Sequence, residues 1–383
     1  LLDQRRTSRE LKDALDALSS ELEIGGVSAQ ATDLDEETKR QLQALGYMAG
    51  RGGIEMDEVA DHERADPKDR IRLHQLVMAA QSDLGANDLD KAEAKLTQAL
   101  ATDDSLLDAH QMLGSIALER QEFEQAAIHF QSALSQDSDH AAAVLGLATA
   151  YRRLGREEEA LLGFERVLEL QPGDSNAALG AADLLIDLQR SSEAVALLES
   201  AVTHERPAPI LFNRLGELIA EQGDARRARQ LFEQALAGND ELAVAHFNLA
   251  VILEDERSFA DAVTHYERTI ELAPSHYQAA FNLGHLVGQR GDVDRQQALY
   301  EAAIGANPEF FRGYYFLAKL IMDRGGDLER AEALARDALE RDLDHRAGPL
   351  GYFVLADILN RQGRHAEARE AARQGQSVRD QGG

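Results

Sequence analysis

Ala245-His246-Phe247-Asn248-Leu249-Ala250 is echoed 34 residues later by Ala279-Ala280-Phe281-Asn282-Leu283-Gly284: an aromatic, an amide, a leucine and a small residue in the same order. The interval runs on in both directions. Leu145, Leu179, Asn213, Phe247, Phe281 and Tyr315 form one unbroken series at that spacing. A Leu-small pair lies two residues past most members, in Leu147-Ala148, Leu215-Gly216, Leu249-Ala250, Leu283-Gly284 and Leu317-Ala318, and earlier in Leu113-Gly114. A second pattern follows each pair: Ala, an aromatic four residues on, a small residue three later. It recurs in Ala126/Phe130/Ala133, Ala160/Phe164/Val167, Ala228/Phe232/Ala235 and Ala262/Tyr266/Thr269. Spacings of three and four place side chains on one helix face. The unit is therefore two helices joined by a turn, and Gly155, Gly223, Gly291 and Gly363 stand where the first helix must end in a left-handed residue.

One such pair is too small to bury its own apolar faces. Small residues such as Ala148, Gly216 and Gly284 let two helices approach closely, and the aromatic fills the space beside them. Neighbouring units cover the rest, so stability is collective and an excised unit is not expected to fold. Seven contiguous units run from Leu73 to Phe310, with Pro172, Pro274 and Pro308 closing three of them. The first is the poorest match, with Leu96 in the aromatic slot and Asp83 where an apolar residue is expected. An eighth, from Phe311 to about His345, has an extra turn residue at Gly325-Gly326, and a ninth follows from Pro349.

The period and the Leu-Gly and Ala-aromatic-small signatures resemble the tetratricopeptide repeat. The resemblance implies an all-α solenoid, a right-handed superhelix of about nine helix-turn-helix repeats over residues 67–376, with 377–383 as a frayed tail. It also implies that the first helix of each unit lines a concave groove.

Composition narrows the function. The chain of 383 residues has no Cys, which excludes disulfides, zinc-thiolate sites and cysteine nucleophiles. A formal charge of −28 repels nucleic acid and anionic membrane, so a basic or apolar protein or peptide partner is expected. Local clusters such as Arg152-Arg153 and Arg226-Arg227 offer places for an anionic group, but a solvated helix surface is the reading preferred for each. No stretch approaches the ~20 apolar residues of a membrane span. Leu1-Leu2-Asp3-Gln4-Arg5-Arg6 does not read as a signal peptide, and without an initiating Met the chain is expected to be a fragment of a longer protein.

Residues 1 to about 72 do not obey the period, and 1–48 read as a helical segment of their own. Amphipathic spacing of Leu11, Leu15 and Leu18 predicts a helix from Thr7 to Leu22, and a second is expected from Asp35 through Leu45. Gly50, Gly52 and Gly53 then mark a flexible linker at 49–66. The run from Asp33 to Tyr47, containing Ala44-Leu45-Gly46-Tyr47, and then Ala65-Asp66-Pro67-Lys68-Asp69, resembles the end of the catalytic domain of bacterial sulfatases that carry a tetratricopeptide tail. The alternative is a helix C-terminus with a glycine stop. The resemblance implies a parent hydrolase with its formylglycine and calcium outside this chain, and a periplasmic or secreted location. None of the seven prolines sits in a Cys/Ser-x-Pro-x-Arg motif, so this chain is not expected to perform that hydrolysis.

Other chemistry is not legible. The twelve histidines show no metal-ligand spacing, His246 reads as a packed core imidazole, and the glycines form no phosphate loop. No catalytic residue, metal or cofactor is expected. The groove is then the candidate site: Leu145, Leu179, Asn213, Phe247, Phe281, Tyr315 and Phe353 along its lining, His285 and Lys319 one turn on, and Asn248 and Asn282 resembling the asparagines by which some tetratricopeptide grooves grip a peptide backbone. Whether the rings at 247, 281, 315 and 353 face solvent or pack on the next unit is left open. A binding scaffold whose C-terminal half takes an extended or helical segment is the leading reading. Self-association into a homo-oligomer and steering of a sulfatase substrate are its rivals.

Overall fold

The computed structural model describes residues 67–342 and 349–381. The two helices, linker and sulfatase-like stretch expected before Pro67 lie outside the described residues, apart from the helix that opens the array.

Among the described residues nine helix pairs follow one another. They are α1 Pro67–Gly85 with α2 Leu89–Leu100, α3 Leu107–Glu119 with α4 Phe123–Gln136, and α5 Ala141–Arg153 with α6 Glu157–Leu170. The middle pairs are α7 Ser175–Asp187 with α8 Ser191–Ala201, α9 Pro209–Glu221 with α10 Ala225–Gly238, and α11 Ala243–Asp255 with α12 Phe259–Leu272. The last are α13 Tyr277–Gln289 with α14 Val293–Ala306, α15 Phe311–Asp323 with α16 Leu328–Arg341, and α17 Leu350–Arg361 with α18 His365–Gln381. No strand interrupts them among the described residues. This is the all-helical repeat solenoid expected from the period.

The turn inside each pair is short, and one residue in it takes the left-handed conformation that ends the first helix. Asn87, Gln121, Gln189 and Arg257 do so in four units, with φ between 59° and 63°. Gly155, Gly223, Gly291, Gly325 and Gly363 do so in the other five. The eighth unit's extra residue thus follows the left-handed position and is Gly326. Several helices are opened by acidic caps: Asp88, Asp174, Asp224, Asp292 and Asp327 each accept a hydrogen bond from a backbone N–H in the first turn.

Small residues set the packing. A Cβ on Gly146 of α5 would come within 2.3 Å of the Phe130 ring of α4, so the ring of one unit lies flush on the first helix of the next. Phe164 meets Gly180 of the next unit in the same way, whereas Phe232 and Tyr300 lie against Gly216 and Gly284 of their own unit's first helix. With Tyr266 these rings are all buried, each contributing about 1.5–3 kcal/mol of transfer energy. In the first unit Leu96 is fully buried in the aromatic's slot, and Asp83 is tied to Lys95 across the helix pair by a salt bridge. Its departure from the pattern is therefore compensated.

Between units, first helices touch first helices at α1–α3, α3–α5, α5–α7, α7–α9, α9–α11 and α15–α17, and second helices make no comparable contact with each other. The first helices consequently form the inner, closely spaced wall. The sequence reading ends the array at 376, whereas α18 continues to Gln381. Gly375 lies against Tyr352 and Phe353, which holds those last turns in place.

Candidate functional site

The wall of first helices is open in its N-terminal half. Leu145 on α5 and Leu179 on α7 are half-buried and line a cleft of about 560 Å³ whose floor includes Phe164 and Gly180. Thr149, Arg152, Arg153, Asn176 and Asp183 complete its lining. Arg152 reaches Asp183 and Asp187 only at 3.6 and 3.5 Å, and the Arg153 guanidinium lies 5.1 Å from the centre of the Phe123 ring. Two of the sequence-predicted lining residues therefore meet in a real concavity, bordered by the Arg152-Arg153 pair.

Further along, the wall is cross-linked. Arg214 on α9 donates to Asp183 on α7 at 2.9 Å and to Glu217 at 2.8 Å. Asn213 donates to Glu217 at 2.8 Å, and Asn248 on α11 donates both to Asn213 at 3.1 Å and to Glu217 at 3.0 Å. Side chains from α5, α7, α9 and α11 thus form one continuous polar chain. Asn213 is only 2% exposed. Its expected role as a groove-facing contact is corrected: the side chain is used up between α9 and α11. Asn282 is engaged as well, donating at 3.0 Å to the hydroxyl of Tyr266, which itself donates to Glu254 at 2.8 Å. Burial, reinforced by the Glu254 carboxylate, pushes the Tyr266 phenol well above its ordinary range. Both N–H groups of the Asn248 amide are thus engaged, while the Asn282 amide spends one of its two on Tyr266.

The aromatic positions divide. Phe247 is half-buried between Tyr266 and His276, with ring centroids at 5.9 and 4.4 Å. Phe281 is half-buried and packed on Tyr300, Phe310 and Phe316 at 5.1–5.3 Å. Tyr315 is 1% exposed, so of the two alternatives left open for it packing holds, and its expected role as a groove contact is corrected. Gly351 of the ninth unit has no side chain, and a Cβ there would stand 2.4 Å from the Tyr315 ring. The ring fills that space and donates from its hydroxyl to buried Asp342 at 3.4 Å. Burial and the same carboxylate raise the Tyr315 phenol. Phe353 is half-buried against Gly375. A solvent-facing strip of four rings therefore does not form, because three rings are partly covered by neighbours and the fourth is wholly inside. His285 and Lys319 are exposed: His285 meets Phe316 edge-on at 6.2 Å, and Lys319 is salt-bridged to Asp323 one turn along its own helix.

Sequence reasoning missed Thr149, Asp183, Arg214, Glu217 and Phe316. A signal was present. Arg152, Asp183 and Arg214 follow at intervals of 31 residues, and Glu217 and Asn248 share that interval. This is the repeat less one helical turn, the offset at which side chains on adjacent first helices meet. Among the described residues no helix is long and apolar enough to cross a membrane, and no group of three or more histidines or carboxylates is placed to hold a metal ion.

Stacked helix pairs with a continuous inner wall define a helical-repeat solenoid. The tetratricopeptide repeat profile matches this chain at residues 77–141, 112–175, 145–208, 179–243, 213–276, 247–309, 281–342 and 323–381, so the chain belongs to that family. It is 25% identical over 261 residues to the human Protein O-mannosyl-transferase TMTC3, covering 62% of this chain and 28% of that protein. It is 25% identical over 230 residues to Lipopolysaccharide assembly protein B of Escherichia coli, covering 57% of this chain and 59% of that one. The solved Cut9-Hcn1 assembly of the APC/C includes a chain that superposes with a TM-score of 0.52 at 14% identity, over 85% of this chain and 59% of the other, which shows the fold. The chain thus spans 28% of the length of the first of these relatives and 59% of the second.

Proposed function

We propose that this chain is a non-catalytic protein-interaction scaffold that receives a partner's polypeptide segment on its first-helix wall, anchored in the cleft between α5 and α7. The observation that carries the reading is the cleft of about 560 Å³ with half-buried Leu145 and Leu179. Apolar anchors in concave pockets supply most of the energy in such contacts, while surrounding polar groups fix register. The segment carries one aliphatic side chain for the cleft. It also carries basic residues on its flanks, because the charge of −28 attracts them at long range and speeds encounter. Downstream, the carbonyls of Asn248 and Asn282 are suited to accept main-chain N–H groups.

A random peptide library selected on the whole chain tests this. Selected clones should contain an aliphatic residue flanked by Lys or Arg, and should lose binding to the Leu179→Glu variant. Clones that bind wild type and variant equally would place the receiving surface elsewhere. Light scattering distinguishes the self-association rival, since a dimer that persists in the same variant would favour another face. Attachment to a sulfatase-like hydrolase rests on the resemblance of residues 33–69 alone; none of the relatives named above is a sulfatase. Finding a Cys/Ser-x-Pro-x-Arg motif in the neighbouring coding sequence would support it.

A further inference from the structure

Two pairs of imidazoles occupy equivalent places four repeats apart. His110 on α3 and His129 on α4 approach through their Nδ1 atoms at 3.2 Å, and His246 on α11 and His265 on α12 at 2.7 Å. His246 Nε2 lies 3.0 Å from the Asp240 carbonyl oxygen, and His110 Nε2 lies 3.0 Å from that of Asp104. A carbonyl oxygen only accepts, so in both pairs Nε2 carries the proton and Nδ1 is an acceptor. The partner ring must then donate from its own Nδ1. Each pair is therefore held by one proton between two nitrogens, in one tautomeric arrangement. Placing a proton on both facing nitrogens removes the acceptor and sets two cations against each other.

The same two units each end in a histidine cap. His140 Nδ1 accepts from the N–H of Ala143 at 3.3 Å, and His276 Nδ1 from that of Ala279 at 3.2 Å. An imidazolium has no lone pair to offer there, and its charge opposes the positive end of the helix. Protonation thus breaks the cap as well as the pair. In the sixth unit the effect reaches the wall directly, because the His276 ring lies 4.4 Å from that of Phe247.

We propose that the second and sixth units are acid-sensitive joints, in which protonation of His110–His129 and His246–His265 and loss of the His140 and His276 caps loosen α3–α5 and α11–α13. The charged groups that act on His265 are Asp261 on its own helix and Glu233 and Arg229 from α10; Glu93 of α2 acts on His129. Arg229 is itself paired with Glu233 and Glu256, and Arg120 with Glu93, so these carboxylates are only partly free to stabilise an added proton. Burial accordingly holds His129, His265 and His276 below the ordinary 6.5. A lowered imidazole value means that the unfolded chain binds more protons than the folded one between the lowered folded value and the ordinary 6.5. The stabilisation is complete above about pH 6.5 and is lost as pH falls through the lower folded values.

Thermal unfolding and amide hydrogen exchange of the whole chain from about pH 7.5 to about pH 5.5 test the idea. The variant His129→Gln/His140→Asn/His265→Gln/His276→Asn keeps an amide donor toward each partner ring and an amide oxygen at each cap, and does not titrate at those positions. The wild type should lose midpoint temperature and protection in α3–α5 and α11–α13 over this range, and the variant should not. An unchanged wild type, or an equal fall in both, overturns the proposal. Imidazole nitrogen-15 shifts of the wild type give the answer even if the variant does not fold: both pairs should leave the neutral state within the range where protection falls. Titration entirely outside that range removes the device.

Discussion

Asn248 donates a hydrogen bond to Asn213 across one repeat, at 3.1 Å, and both share Glu217 as acceptor. Residues that a repeat pattern offers as ligand contacts are thus bound to one another. The wall between α9 and α11 is braced before any partner arrives, and the space available to a partner is shifted toward Leu145 and Leu179.

Asn213→Ala should lower the stability of the array by about 1–3 kcal/mol, since it leaves Glu217 and Asn248 short of buried partners. Asn176→Ala, at an exposed position on the rim of the cleft, should cost less than about 0.5 kcal/mol. Urea unfolding of both variants measures the contrast, and equal midpoints would show the brace to be inert.

Two glycine substitutions separate close packing from backbone conformation. Gly146→Ala drives a methyl into Phe130 and should cost about 1–3 kcal/mol, a loss eased by adding Phe130→Leu. Gly155 has open space around it but a φ of 72°, so Gly155→Ala should cost about 1–2 kcal/mol with no relief from the same second change. Rescue of both, or of neither, contradicts the packing described here.

Leu179→Glu removes a half-buried side chain packed against the core, so it should lower the melting temperature while keeping the helical fold, and should weaken any peptide selected on the wild type by ~30-fold, the value of one buried anchor at about 2 kcal/mol. Isothermal titration with a selected peptide reads the loss directly. Retained affinity with retained fold would rule out the α5–α7 cleft as the anchor site.

The phenols of Tyr266, Tyr300 and Tyr315 are all raised, by burial first and, for Tyr266 and Tyr315, by a neighbouring carboxylate. A raised phenol contributes stability that is full below its ordinary 10.0 and is lost as pH rises through the higher folded value. Absorbance titration should therefore show three of the eight tyrosines ionising only as helicity is lost in alkali. Their smooth titration near pH 10 with helicity intact would mean that these rings are hydrated.

The repeat length, the helix pairs and the residues that meet inside them were all legible in the sequence. Steric demand repeats with the chain: Phe130 has Gly146 opposite it, and Phe164 has Gly180 at the same interval. A left-handed residue recurs in each turn for the same local reason, even where it is Asn87, Gln121 or Arg257 instead of glycine. The exposure of the wall was not legible in this way. Tyr315 and Phe281 hold equivalent sequence positions, yet Tyr315 is buried because Gly351 leaves room for its ring, and Phe281 stays partly open among Tyr300, Phe310 and Phe316. The polar chain from Arg152 to Asn248 depends on how far one first helix slides past the next, a shift of about one turn set by packing between units. Local spacing specifies what each unit is. Which of its side chains remain free is decided only when a neighbour, one repeat away, has taken its share of them.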